Sequence, residues 1–197
     1  MELEKLFGLP AHPLLVHAPV VLVPLAGLIA LVMAFKTAWL DKFGWWLVGL
    51  TGVGMIGGIL AAGSGEGLES LQGEAENAAR EDHFELGELA RTLSIIFFLV
   101  VLAVVALRWY AKKKGGDTGA WGFIRSKVGG IVAAVLLVLS AGAATWTMAA
   151  AGHQGAKLAW CEETHNCPKG GGEGGEGNEE EEGAPAPTPE LPVSVNG

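Results

Sequence analysis

Charge is scarce in this sequence. Of its 197 residues only 17% are charged while 50% are hydrophobic, and long stretches carry no Asp, Glu, Lys or Arg at all. A single soluble core is excluded, because its apolar residues would fall in amphipathic stripes and not in unbroken blocks. Cysteine is limited to two residues. No C-x-x-C-H box is present to attach a c-type haem, and no standard zinc spacing occurs. No nucleophile motif appears, which makes a hydrolase the least supported class. Charges at the middle of the apolar blocks and a clear inverted repeat are both missing, which argues against a transporter. The opening "MELEKLFGLPAH" is not a basic leader, and no A-x-A exit follows the first apolar run. That run is therefore expected to stay as a helix and not to be cleaved. No lipidation box is visible.

What is present is four apolar blocks. They are "LLVHAPVVLVPLAGLIALVMAF" (14–35), "GWWLVGLTGVGMIGGILAAG" (44–63), "TLSIIFFLVVLAVVAL" (92–107) and "VGGIVAAVLLVLSAGAATWTMAAA" (128–151). Crossing the hydrocarbon of a bilayer takes about 20 predominantly apolar residues as a helix. Three blocks meet that directly, and the third borrows a first turn from "ELGELAR". The expected fold is all-α: a four-helix transmembrane up-down bundle followed by a disordered acidic C-terminal tail. The expected divisions are a leader over 1–12, a membrane domain over 13–160, a cysteine loop over 161–168 and a tail over 169–197. The helices are expected at about 13–35, 43–63, 86–110 and 126–152.

Basic residues set the expected orientation. Lys36 and Lys42 flank the first turn, and Arg108, Lys112, Lys113, Lys114, Arg125 and Lys127 fill the connection between the third and fourth helices, eight of the 13 in the chain. The positive-inside rule places these two loops in the cytoplasm and both termini outside, in a bacterial inner membrane. Trp39, Trp45, Trp46, Trp109, Tyr110 and Trp121 fall at the same cytoplasmic ends, at headgroup level. The net charge of −8 thus divides into an acidic outer side and a basic inner one. The basic side suits anionic lipid and gives no reason to expect nucleic acid.

Small residues recur every four positions, as Gly54, Gly58 and Ala62 in the second helix and as Gly130 with Ala134 and Ser140 with Ala144 in the fourth. Close helix packing accounts for them. The connection over 64–88 is long, and its 67–80 portion has the composition of a short surface helix. From Lys169 onward Gly, Glu and Pro leave almost nothing to bury. Cys161 and Cys167 lie in "WCEETHNC" on the outer side, where thiols tend to pair, and a disulfide between them is expected. A metal site of Cys161, His165 and Cys167 is the weaker alternative, since it lacks a fourth ligand.

All five histidines fall on the expected outer side: His12, His17, His83, His153 and His165. Five residues separate His12 from His17, about 140° around a helix, so they cannot share a face. With Pro13 in the first turn, His17 sits a turn deeper, where Pro19 and Pro24 free backbone carbonyls. It is expected to be buried and to need a polar partner from among His83, Glu85, Glu88, Arg91 and His153. His83, Gly87 and Arg91 are four apart and share a face. Two chemistries fit. In one, His17 with His83 or His153 ligates the iron of haem b and Arg91 pairs a propionate. In the other, His17, His83 and His153 or a carboxylate hold a divalent transition metal. A hydrogen-bonded network that only pins the helix ends competes with both.

The segments "HPLLVHAPVVLVPLAGLIAL", "GVGMIGGILAAGSGEGLE", "HFELGELARTLSIIFFLV" and "AAGHQGAKL" together resemble the bacterial membrane-protein family called domain of unknown function 2231. The likeness covers roughly residues 9–160 and leaves out the cysteine loop and the tail; H-P-L-x-V-H is its most specific part. The last segment departs from the family's usual ending. The resemblance implies a four-helix membrane domain with recurring histidines at His12, His17, His83 and His153. It implies no established activity; relatives that look joined to redox modules favour haem. The first functional expectation is therefore a bilayer-embedded, histidine-lined site at the outer face, serving electron transfer with a redox or membrane partner protein. An accessory or structural subunit without cofactor is the alternative; an enzyme is the less favoured class, and a redox role would be that of an electron-transfer subunit.

Overall fold

The computed structural model describes residues 5–6, 9–72, 78–115 and 119–164, with side chains over 15–65, 82–115, 119–158 and at 160. Two short strands open the chain, β1 (Lys5–Leu6) and β2 (Leu9–Pro10), paired antiparallel with Leu6 opposite Leu9. Among the described residues five helices follow: α1 (Ala11–Phe35), α2 (Thr37–Gln72), α3 (Ala78–Lys113), α4 (Gly119–Arg125) and α5 (Lys127–Thr164). Four of them contain stretches long and apolar enough to cross a membrane, Leu15–Phe35, Thr37–Gly65, Asp82–Lys113 and Lys127–Leu158.

Facing residues give the register. Gly54 of α2 lies on Val23 of α1 and Gly57 on Pro19, so the helices run antiparallel. Gly44 meets Val105 and Gly52 meets Phe98, which sets α3 antiparallel to α2. Gly27 faces Thr145 and Gly152 faces Val20, which sets α5 antiparallel to α1. With α3 against α5 the ring closes, and each long helix packs mainly on two others. This is the expected up-down bundle. Its core is Val23, Ala26, Ala30 and Met33 from α1, Leu40 and Leu47 from α2, Phe97, Val101 and Val105 from α3, and Leu137, Ala141, Ala144 and Met148 from α5.

The outer surface is apolar too. Val21, Leu28, Ile56, Leu99 and Leu139 stand exposed on the four long helices. A helix hydrophobic on all sides belongs in lipid or in a large core, and among the described residues no further layer covers this bundle. Among the described residues the buried hydroxyls are satisfied within their own helices. Thr51 donates to the Leu47 carbonyl at 2.9 Å, Ser94 to Ala90 at 2.7 Å and Thr147 to Ala143 at 3.0 Å. That bond is what a hydroxyl needs where water is absent.

The joints differ from expectation. Lys36 alone interrupts the helices between α1 and α2, its N–H donating to Val32 and Met33 and its carbonyl accepting from Trp39. Residues 37–42 are helical, not a turn. Of the expected surface helix over 67–80, the residues to Gln72 continue α2 and those from Ala78 belong to α3. α5 runs past the expected end at 152 to Thr164, so the first part of the cysteine loop is helix. At the basic end, Gly115 with φ 67° closes α3 in the left-handed conformation that glycine adopts freely. Ser126 caps α5, its Oγ accepting from the Gly129 N–H at 3.1 Å.

Candidate functional site

Opposite the basic end, the heads of the four long helices leave a cavity of about 90 Å³ between them. Most of its wall is small or apolar: Pro19 and Val20 from α1, Gly58 and Ala61 from α2, Met148 and Gly152 from α5. α3 supplies the polar part. His83, Gly87 and Arg91 all line the cavity, as their four-residue spacing on one face requires, and Glu88 joins them. Arg91 Nη2 donates to Glu88 Oε1 at 2.8 Å, an ion pair on the rim with both side chains partly exposed. The Arg91 charge is thus engaged within its own helix.

His83 is half-buried, and its Nδ1 is shielded from solvent. Its ring lies tilted against Phe84, centroids 6.4 Å apart, and against Gly155 of α5. A Cβ at position 155 would come to 3.0 Å from His83 Cε1 and 3.5 Å from Nε2, so the glycine makes room for the imidazole. One residue away, the Gln154 Oε1 is buried and accepts no hydrogen bond among the described groups.

The remaining histidines lie elsewhere. His17 is exposed, between Val16 and Pro19 that do line the cavity, and is not buried as expected. His153 is exposed on α5 beside Gly152. His12 lies in the first turn of α1, with its side chain outside the described residues, as is all of His165. Among the described residues no three His, Cys, Asp or Glu stand together as a metal-binding group. The structure thus brings His83 and Arg91 to one cavity and leaves His17 and His153 on outer surfaces. Cys161 is at the end of α5 with its side chain undescribed, and Cys167 and the tail lie outside the described residues, so their expected pairing and disorder are not addressed.

One ion pair went unread in the sequence. Arg108, counted there only as loop charge, is 8% exposed and holds Asp41 across α3 and α2. Its Nε donates to Oδ1 at 2.9 Å and its Nη2 to Oδ2 at 3.1 Å. The available signal was Asp41 itself, the one acid between Glu4 and Glu66.

The family model described as predicted membrane protein (DUF2231) matches residues 8–168. The chain belongs to this family. No curated protein and no solved structure matches. The DUF2231 match takes in all four membrane-spanning helices and the cavity. It also corrects the expected extent, because it runs through the Cys161–Cys167 segment that the sequence resemblance left out.

Proposed function

We propose that this protein sits in the bacterial inner membrane with both termini outside, and that its working part is a small-ligand site in the cavity around His83. One observation carries the reading: α3 presents an imidazole and an ion pair to an otherwise apolar cavity lined by all four spanning helices. Convergent polar groups in an apolar pocket mark the default binding site of an unassigned protein. The ligand class this suits is a small organic molecule with an apolar body and a hydrogen-bonding head. His83 bonds the head, and Arg91 and Glu88 stand at the mouth.

Haem b asks for more room than the cavity offers, and a transition metal for more ligands. Pockets that enclose a drug-sized ligand run roughly 300–1,000 Å³, against about 90 Å³ here. A bis-histidine haem needs His17 or His153 turned in beside His83, a metal on all three histidines needs both, and neither lines the cavity. In that form the redox reading, with its electron-transfer partner protein, requires the heads of α1 or α5 to rotate. The accessory-subunit reading is favoured by a different contact, the fit of His83 into the space at Gly155. There the histidine pins α3 to α5 and binds nothing. In either reading Cys161 and Cys167 pair as a disulfide on the outer side.

The test is the content of the purified full chain, by visible spectrum, elemental analysis and mass spectrometry of a solvent extract. The proposal expects an organic molecule near one equivalent in wild type and in His153→Ala, and its loss in His83→Ala. A Soret band lost in both His17→Ala and His83→Ala would replace it with bis-histidine haem. Nothing bound to any variant would leave the accessory reading.

A further inference from the structure

At the opposite end of the bundle, a groove of about 510 Å³ runs between the start of α2 and the end of α3. We propose that it holds the phosphodiester headgroup of one anionic phospholipid. Leu40 and Val105 form its apolar floor, and Trp45 and Trp109 its side, with their rings edge to face at 6.4 Å. Lys112 and Lys113 close it at the helix end, and Lys113 Nζ stands 5.4 Å over the Trp109 ring.

Charge selects the occupant. Among the described residues Asp41 is the one carboxylate on the groove wall, and both its oxygens are taken by the Arg108 guanidinium. The pair is neutral as a unit, so the net charge offered is that of the two lysines. A phosphodiester brings a charge of the opposite sign, and a zwitterionic headgroup brings its own cation against them. The tryptophans are residues that settle at headgroup depth. Further along α2 and α3, Ile56 and Leu99 are among the exposed apolar side chains that an acyl chain can lie against. Basic pockets between membrane helices are a general means of recognising anionic headgroups. This inference stands independently of the ligand at His83.

The remaining cations at this end supply the control. Lys36 lies 5.1 Å over the Trp39 ring and Lys42 4.9 Å over Phe43, and neither lines the groove. Native mass spectrometry of the full chain in detergent, titrated with phosphatidylglycerol or phosphatidylcholine, reads the difference. The first phosphatidylglycerol should bind roughly tenfold tighter than phosphatidylcholine, and Lys112→Gln with Lys113→Gln should remove most of that preference. Lys36→Gln with Lys42→Gln removes the same charge and should change affinity less than about twofold. Inorganic phosphate should not displace the lipid. Equal losses in the two double variants would overturn the proposal in favour of diffuse surface charge. Equal affinity for the two lipids, or displacement by phosphate, would overturn it outright.

Discussion

Arg108 keeps a charge in a helix interface because Asp41 takes two of its donors in a fork. Side-chain exposures of 9% and 23% place the pair between a buried and a surface bridge. Removing one partner leaves the other charge half-buried and unmatched, an effect of about 3–5 kcal/mol for fully buried pairs. Because Asp41 is partly wetted, Arg108→Ala and Asp41→Ala should each destabilise the bundle by about 2–3 kcal/mol. The double change to Leu should recover part of that loss, as unfolding in detergent would show. The histidines divide by position. His83→Ala should destabilise by roughly 1–3 kcal/mol, since it empties a fitted contact and removes a buried polar group. His153→Ala, on an exposed surface, should stay within about 0.5 kcal/mol; parity with His83→Ala in thermal unfolding would contradict this. The His83, Gly87 and Arg91 face was legible because identical four-residue spacing needs no knowledge of packing. The side on which His17 falls was not. α1 is apolar around its whole circumference, so no polar stripe marks its inner face.

Among the helices, α1 and α2 pack closely where glycine meets proline. A Cβ at Gly57 would come to 3.1 Å from Pro19 Cδ and 3.4 Å from Ala18 Cβ. Pro19 is buried and held by its ring, so the contact has little room to yield. Gly57→Leu should therefore part the helices and destabilise by about 1–3 kcal/mol. At Gly63 and Gly142, by contrast, a Cβ would meet no described atom within 4 Å. Gly63→Ala and Gly142→Ala should be neutral or stabilising by up to about 1 kcal/mol, through helix propensity alone. Thermal unfolding of the three variants side by side separates packing from propensity. The small-residue pattern was readable in the sequence as close approach, and it is Gly54 and Gly57 together with Gly58 that meet α1. Helix ends were less readable. Hydropathy marks where a span leaves the apolar layer, not where its helix stops. Once nucleated, a helix extends at no further nucleation cost, and α2 and α5 do so through the glycines of "GEGLESLQ" and "HQGAKLAWCEET".

At the scale of the molecule the two ends differ in chemistry. One carries Lys36, Lys42, Lys112, Lys113, Lys114, Arg125 and Lys127 with an interfacial belt of aromatics, several of them under lysine ammonium groups. The other carries the cavity of His83 and the acidic connection between α2 and α3. The up-down order puts these ends on opposite sides of any membrane the bundle spans. The fold was legible because four charge-free blocks leave few alternatives in a bilayer. The cavity was not, since it depends on how four helix heads splay. The orientation proposed for the two ends has the His83 cavity facing outward and the basic groove inward. Fusion of a reporter active only in the periplasm, after Lys157 and separately after Lys114, tests that orientation most directly. Activity is predicted after Lys157 and none after Lys114. Activity after Lys114 with silence after Lys157 would contradict it.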